Sequence, residues 1–308
     1  MLLRFNIIVK NYKTINALPY ILGMVFIFSG ISKLISVVYF EQFIYSFGIL
    51  KLNYAVIFAR IIIAAELTFG LSYLFKVYLK QINYISILIL VAFTLFILLI
   101  EITDFSDDCH CFGNLFIFSN KLSILKNIVL IVMAIFLIKP LKQKTINNNG
   151  IKLISISVLS LIISLAVYFP SNIFSKKNLN SNFCKTCLEE YTKRELLSDQ
   201  KIVLCFFSTS CKYCQLAAKN MSVISRKTNG GNKILYVLWE SNTKSKQFLQ
   251  ETKSDDFTYK NMDVLSFIKL TNGQMPQIIL YNKGVIEHSY YFSDMDEDKI
   301  IEFINSME

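Results

Sequence analysis

The sequence predicts a membrane-embedded α-helical bundle followed by an α/β domain outside the lipid. Three observations carry this. The chain of 308 residues is 54% hydrophobic, with mean hydropathy +0.46, too apolar for a soluble protein of that length. The apolar residues gather into long runs before residue 170, and about 20 apolar residues are what a helix needs to cross roughly 30 Å of hydrocarbon. Beyond residue 170 the runs shorten, alternate between strand and helix periods, and enclose a Cys-x-x-Cys at a strand-to-helix junction. The length suits about two domains.

Taken in order, residues 1 to 16 carry Arg4, Lys10 and Lys13 and lack the apolar core and small-residue site of a removable signal. Membrane helices are expected at about 17 to 38, 54 to 75, 82 to 100 and 122 to 138, with a fifth at 153 to 169. The fourth is short enough to draw on residues 115 to 118. Loop charges set the orientation. Arg4, Lys10, Lys13, Lys76, Lys80, Lys139, Lys142, Lys144 and Lys152 fall on one side. Lys51 and Lys121 fall on the other, with Glu101, Asp104, Asp107 and Asp108, and Lys126 lies just inside the fourth helix. The positive-inside rule then places the N-terminus in the cytoplasm, and five crossings put everything after Pro170 on the periplasmic side of an inner membrane. The expected division is 1–145 for the four-helix bundle, 146–170 for the fifth helix, 171–198 for a linker and 199–308 for the α/β domain. The net charge of +10 is assigned to this loop bias. No basic-aromatic motif accompanies it, so membrane lipid is an expected partner and nucleic acid is not.

The seven cysteines are Cys109, Cys111, Cys184, Cys187, Cys205, Cys211 and Cys214. Six form three close-spaced pairs, and all three pairs fall on the outer, disulfide-permissive side. Cys205 lies inside the apolar run 202–207, where a small buried hydrophobe is expected.

Cys211-Lys212-Tyr213-Cys214 follows that run and a Ser/Thr loop, and precedes the helical pattern Leu216, Ala217, Ala218, Met221, Val223, Ile224. A helix N-terminus carries partial positive charge and unpaired N–H groups, which stabilise a thiolate on the first cysteine. The second lies one turn on, in reach of a disulfide. A structural disulfide or half of a zinc site are the alternatives. Further on, Met275-Pro276-Gln277 leads into the apolar run 278–281, a turn at Asn282-Lys283-Gly284 and a second strand at 285–292. Strand, loop, helix and hairpin together resemble the thioredoxin family. That resemblance implies a cis Pro276 beside the Cys-x-x-Cys, with the Met275 backbone free to pair with an extended substrate, and cis bonds are largely a proline property. Cys211 would attack as thiolate and Cys214 would resolve the mixed disulfide. The family's usual Trp and Gly-Pro are absent. Ser210 precedes Cys211, and Lys212-Tyr213 separate the pair, which leaves the direction of electron flow open. The charge of Lys212 favours the thiolate modestly. The rest of the domain reads as a strand at 233–239, helical stretches at 243–252 and 261–270, and a last helix at 296–305 capped by Ser293 or Asp294.

In the membrane half, the outer loop reads Asp108-Cys109-His110-Cys111-Phe112-Gly113. Helix one carries Phe28-Ser29-Gly30-Ile31-Ser32-Lys33-Leu34, and helix two carries Arg60, Glu66-Leu67 and Gly70-Leu71. Over about residues 15 to 140 these resemble the MauE branch of the DoxX-like membrane family. The resemblance implies a four-helix bundle acting in disulfide formation or relay outside the cytoplasm, alongside a thioredoxin-like partner that is here fused to the same chain. The family usually has Gly between its two cysteines; this chain has His110. A disulfide across one residue closes a small, strained and therefore oxidising ring, so Cys109/Cys111 is a candidate to exchange with Cys211/Cys214. A soft-metal site built from Cys109, His110 and Cys111, or a static disulfide, are the alternatives.

Lys33, Arg60 and Glu66 are charges within apolar helices, which are costly in lipid and face a bundle interior or water cavity. They either tune the loop thiols or hold a quinone oxygen, or else Lys33 snorkels and Glu66 forms a structural ion pair. A membrane quinone is the candidate cofactor, on a loose similarity to vitamin K epoxide reductase. No cysteine falls within a predicted span, which argues against carrying disulfides across the bilayer. Cys184/Cys187 reads either as a relay between Cys109/Cys111 and Cys211/Cys214 or as a local structural disulfide.

The reading that follows is a membrane-bound thiol–disulfide oxidoreductase acting on extracytoplasmic proteins that contain cysteine. Its rivals are a scaffold that binds client peptides along Met275-Pro276 without turnover, a metallochaperone, and a subunit of a terminal quinol oxidase.

Overall fold

In a computed structural model of the chain, the residues described are 2–102, 120–138, 149–167, 183–195, 197, 199–239 and 242–307. The chain divides into two compact units. One is Met1–Ile44 with Val56–Phe169, and the other is Tyr45–Ala55 with Pro170–Glu308.

The first unit is helical: α1 (Leu2–Ile35), α2 (Val37–Ser46), α3 (Leu52–Phe75), α4 (Leu79–Ile102), α5 (Asn120–Ile138) and α6 (Asn149–Ala166). Among the described residues, four stretches are long and apolar enough to cross a membrane: Ala17–Ile35, Leu52–Phe75, Leu79–Leu99 and Lys121–Ile138. The expected fifth span is a shorter apolar helix, Gly150–Ala166. α1 and α3 approach closely because both carry glycine at the contact. A Cβ on Gly70 would stand 2.5 Å from Ile27 Cγ1 and 2.9 Å from the Gly23 carbonyl oxygen, a close approach that only small residues permit. Phe26 stacks on Tyr73 with ring centroids 5.9 Å apart. The Tyr73 hydroxyl donates to Asn83 Oδ1 at 2.9 Å, and Asn83 Nδ2 donates to the Ala134 carbonyl at 3.0 Å. This buried chain ties α3, α4 and α5 together, and each of its polar atoms finds the partner that an apolar surrounding demands.

Two boundaries differ from expectation. α1 starts well before residue 17 and runs through Pro19. A proline near an apolar run reads as the first helical turn, where its missing N–H costs nothing, yet here helix continues on both sides of it. After residue 38 the chain forms α2 instead of a loop, set off from α1 by a turn at Ser36 whose hydroxyl donates to the Ser32 carbonyl at 3.0 Å.

The second unit is built on a five-stranded sheet of order β3-β2-β1-β4-β5. The strands are β1 (Lys201–Phe207), β2 (Ile234–Leu238), β3 (Thr258–Asn261), β4 (Gln277–Asn282) and β5 (Val285–Tyr290). β1, β2 and β3 are parallel, while β4 runs antiparallel to both β1 and β5. β1 is central and covered on both faces, so Ile202 to Phe207 are all buried, and the strand reads as one apolar run because neither face meets water. Ile202, Leu204 and Phe206 join Leu235, Val237, Ile279 and Tyr281 in one core. On the alternate residues, the Phe207 ring packs edge-on against Tyr236 at 5.0 Å. The hairpin turn is Lys283-Gly284, both at positive φ (47° and 90°), the pairing that matches strand twist in a two-residue connection.

Around the sheet lie α7 (Lys185–Arg194), α8 (Lys212–Thr228), α9 (Asn242–Glu251), α10 (Val264–Thr271) and α11 (Glu297–Asn305). α7 corrects the expected domain boundary at 199. Phe183, Leu188, Tyr191 and Leu197 are buried in the same core as Leu204 and Phe206, so Cys184 and Cys187 belong to the α/β unit and not to a linker. β3 precedes α10, where the sequence suggested one helix from 261, and Asp263 caps α10 by accepting the Ser266 N–H at 2.9 Å. The cap of α11 is Asp296; Asp294 instead ends the short turn Phe292–Asp294, where its side chain accepts the N–H of the cap residue Tyr291.

Candidate active site

β1 ends at Phe207, and four residues later Cys211 forms the N-cap of α8. Its backbone is extended (φ −86°, ψ 116°), which turns the side chain back over the first helical turn. Cys211 Sγ accepts the Cys214 N–H at 3.4 Å, in the manner of a Ser or Asp cap. The connecting loop is pinned at three points. The Cys211 N–H donates to the Ser208 carbonyl at 3.2 Å. Gln215 Nε2 donates to the Thr209 carbonyl at 3.2 Å, and Trp239 Nε1 donates to Ser208 Oγ at 2.8 Å.

The two thiols have opposite environments. Cys214 is fully buried while Cys211 is half-buried, and neither is in a disulfide. The Cys214 thiol donating to Cys211, helped by the backbone N–H groups of Cys214 and Tyr213, holds the Cys211 thiol down at about 6, against an opposing push from partial burial. Burial pushes the Cys214 thiol far up, and its hydrogen bond to Cys211 adds to this. The pair is therefore one thiolate and one thiol at neutral pH, a nucleophile with a proton-holding partner behind it. Lys212, whose charge was expected to help, is exposed, and the lowering comes from Cys214 and the helix N–H groups instead. Cys205 is buried in β1 and its thiol is pushed well up, which leaves it an inert core residue.

The Met275–Pro276 bond is cis. Pro276 directly precedes β4, whose first residue, Gln277, lies opposite Phe206 near the end of β1. The proline thus stands at the same sheet edge as Cys211. Trp239, at the end of β2, completes this edge, its ring 5.3 Å from that of Phe267. Sequence reasoning missed Ser208 and Trp239 as parts of the site. The chain's single tryptophan directly after an apolar strand was the available signal.

Cys184 and Cys187 form a disulfide at the N-terminus of α7, with the Cys187 N–H donating to Cys184 Sγ at 3.2 Å. Cys109, His110 and Cys111 lie outside the described residues.

In the helical unit, Lys33 does not snorkel. It is 1% exposed and its Nζ donates to both Glu66 oxygens at 2.6 and 2.7 Å and to Ser29 Oγ at 2.9 Å. Arg60 belongs to a separate cluster. Its Nε pairs with Glu41 Oε1 at 2.8 Å, and Nη1 donates to the carbonyls of Ser164 and Val167 at 2.7 and 2.6 Å. Glu41 sits in the unexpected helix α2, so sequence reasoning had no reason to pair it with Arg60.

Comparison with known proteins adds three findings. Residues 12–140, within the helical part of the chain, match the family model described as methylamine utilisation protein MauE. Protein TlpB of Flavobacterium psychrophilum is 25% identical over 315 aligned positions, covering 81% of this chain and 84% of that protein. Among solved structures, a secreted Mycobacterium tuberculosis disulfide oxidoreductase, described as homologous to Escherichia coli DsbE, aligns at TM-score 0.31 and 15% identity over 36% of this chain and 85% of that one.

Proposed function

We propose that the chain is a membrane-bound thiol–disulfide oxidoreductase whose reacting group is the Cys211 thiolate. The observation that carries this is the asymmetry of the pair, a half-buried, low-pKa Cys211 backed by a buried, protonated Cys214. A nucleophile needs the thiolate and access, and a resolving thiol needs shelter from competing partners. Cys211 attacks a disulfide of the partner and forms a mixed disulfide. Cys214 then gives up its proton, attacks Cys211 Sγ and releases the partner reduced. The reverse sequence oxidises a dithiol partner.

The partners of this reading are extracytoplasmic proteins or peptides that contain cysteine, lying against the Met275 backbone beside cis-Pro276. The N-terminus is cytoplasmic and the α/β unit periplasmic, which places Cys109/Cys111, Cys184/Cys187 and Cys211/Cys214 in one disulfide-permissive compartment. Cys109/Cys111 of the membrane loop exchanges electrons with Cys211/Cys214, and a membrane quinone is the candidate acceptor or donor. A periplasmic location for a C-terminal tag, read by accessibility in intact cells, is expected.

Insulin reduction by the full chain in detergent tests the central claim. Turnover by the unaltered protein and its loss in Cys211→Ser is the expected result. Equal rates for both, or none for either, would leave a client-binding scaffold as the better reading.

A further inference from the structure

The α/β unit contains the same local device twice. Cys184-Lys185-Thr186-Cys187 and Cys211-Lys212-Tyr213-Cys214 share a Cys-Lys-x-Cys pattern. In both, the first cysteine is an extended N-cap (φ −77°, ψ 100° and φ −86°, ψ 116°) whose Sγ accepts the N–H of the second, at 3.2 and 3.4 Å. Lys185 and Lys212 are both exposed. Both Cys184 and Cys187 are half-buried, within reach of an incoming thiolate. The Thr186 hydroxyl lies 3.4 Å from Cys184 Sγ.

Both devices also pack beside the segment that leads into β4. α7 ends in a tight connection to β1, closed by bonds from the Leu197 N–H to the Thr192 carbonyl and from the Gln200 N–H to the Leu197 carbonyl. Tyr281, which lies opposite Ile202 at the start of β1, donates its hydroxyl to Thr192 Oγ1 at 3.1 Å. The C-terminal end of α7 is thereby fixed at the start of β1. A ten-residue helix rises about 15 Å, so Cys184 lies about that far from the anchored end. At the N-terminal end of α7 the Cys184 N–H donates to the Leu270 carbonyl at 2.9 Å. Cys187 packs on the same core as Trp239 and Met275, the residue before cis-Pro276.

A purely structural role fits poorly. A disulfide across two intervening residues constrains the unfolded chain least, and α7 is already anchored by Phe183, Leu188 and Tyr191. We propose that Cys184/Cys187 is a second redox-active pair that exchanges with Cys211/Cys214 of the same chain. The proposal rests on the reading of Cys211 as the attacking thiolate. In one direction the Cys211 thiolate attacks Cys184 Sγ, the Cys184–Cys187 bond breaks, and Cys187 leaves as a thiolate that takes a proton from water. Cys214 then loses its proton and attacks Cys211 Sγ, which frees Cys184. Two electrons pass from one pair to the other: Cys211/Cys214 ends as a disulfide, Cys184/Cys187 as a dithiol, and no further oxidant is consumed.

Two measurements on the full chain in detergent test this, and the proposal requires both. The first equilibrates the unaltered protein in a series of glutathione buffers, quenches with acid, alkylates, and reads each cysteine peptide by mass spectrometry. The expected result is a shift of Cys184 and Cys187 from disulfide to dialkylated form within the range over which Cys211/Cys214 also shifts. If Cys184–Cys187 stays oxidised while Cys211/Cys214 converts fully, the pair is structural and the proposal falls. The second uses the variant Cys109→Ser, Cys111→Ser, Cys187→Ser, Cys214→Ser, which keeps neither resolving thiol, treated with the thiol oxidant diamide to supply the two electrons' worth of oxidation. A linked Cys184–Cys211 peptide within one chain is expected, with loss of that species on adding Cys184→Ser. Absence of that peptide, or its appearance only between chains, overturns internal exchange. Insulin reduction by the unaltered protein runs in parallel. If it is absent the central reading has failed, whereas if it persists while Cys184 is unresponsive only this inference has.

Discussion

The two units handle their reactive groups in opposite ways. In the helical unit, Lys33 has Glu66 and Ser29 on its ammonium, and Arg60 has Glu41 and two carbonyls on its guanidinium. In the α/β unit, Cys211 is half-buried and its sulfur is held by weak donors only, a thiol and backbone N–H groups. A charge in lipid must be matched in place or it destabilises the bundle. A nucleophile must be stabilised and yet stay reachable. The difference separates scaffolding from chemistry more sharply than residue type does.

The largest expected effect breaks the comparison at its reactive side. Cys211→Ser should lower insulin reduction by about 10³-fold or more, as loss of a covalent nucleophile does, and leave thermal unfolding in detergent nearly unchanged. On the saturated side the pattern should invert. Glu66→Gln leaves the Lys33 ammonium buried without its counter-charge, and breaking one partner of a buried pair costs about 3 to 5 kcal/mol. Thermal unfolding of the full chain should register this, while the alkylation rate of Cys211 stays as it was. A stable Glu66→Gln protein with impaired redox cycling would instead move Lys33 and Glu66 into the chemistry.

A third test sharpens the account of Cys211. With its thiol held at about 6, the thiolate forms as pH rises through that value. Iodoacetamide labelling should therefore be half-maximal near pH 6, nearly complete by pH 7, and fall away below pH 5. An ordinary thiol would show its midpoint near 8.5. The sign follows from the group: the reactive form is the deprotonated one, so reactivity is lost towards acid. Cys214→Ala removes the thiol donor that does most of the lowering and should move the midpoint upward.

These contrasts also show what was legible beforehand. The apolar runs, the Cys-x-x-Cys between strand and helix, and the Pro276 hairpin all carry local signals of period or turn chemistry, and the corresponding elements are present. β3 was not legible because Thr258–Asn261 is a four-residue, mostly exposed strand without an apolar stripe. α2 was hidden by its continuity with the first apolar run. α7 reads as a charged helix in isolation, and only tertiary packing shows that Leu188 and Tyr191 are core. The partner of Arg60 depended on α2, so the choice between Glu66 and Glu41 had no local signal at all. The helix N-cap geometry of Cys211 follows from the motif, whereas the loop bond from Trp239 depends on how β2 sits beside β1.

That bond supplies the smallest and most specific test. Trp239→Phe keeps an aromatic ring against Phe267 and removes the 2.8 Å bond to Ser208 Oγ. A single hydrogen bond of this kind is worth about 1 kcal/mol net, so unfolding should shift by no more than that. Ser208 also presents the carbonyl that accepts the Cys211 N–H at 3.2 Å. Loosening Ser208 should therefore broaden or raise the Cys211 labelling midpoint slightly. Ser208→Ala removes the same bond and also the 3.1 Å contact with Ser210 Oγ, so its effect should be at least as large, and adding Trp239→Phe to it should add nothing further because the shared bond is already gone. Full additivity of the two would mean that Trp239 acts on the site through its packing alone. The loop would then be held by Gln215 on the Thr209 carbonyl and by the first turn of α8, and the tryptophan would join Lys33 and Arg60 on the scaffolding side of the comparison.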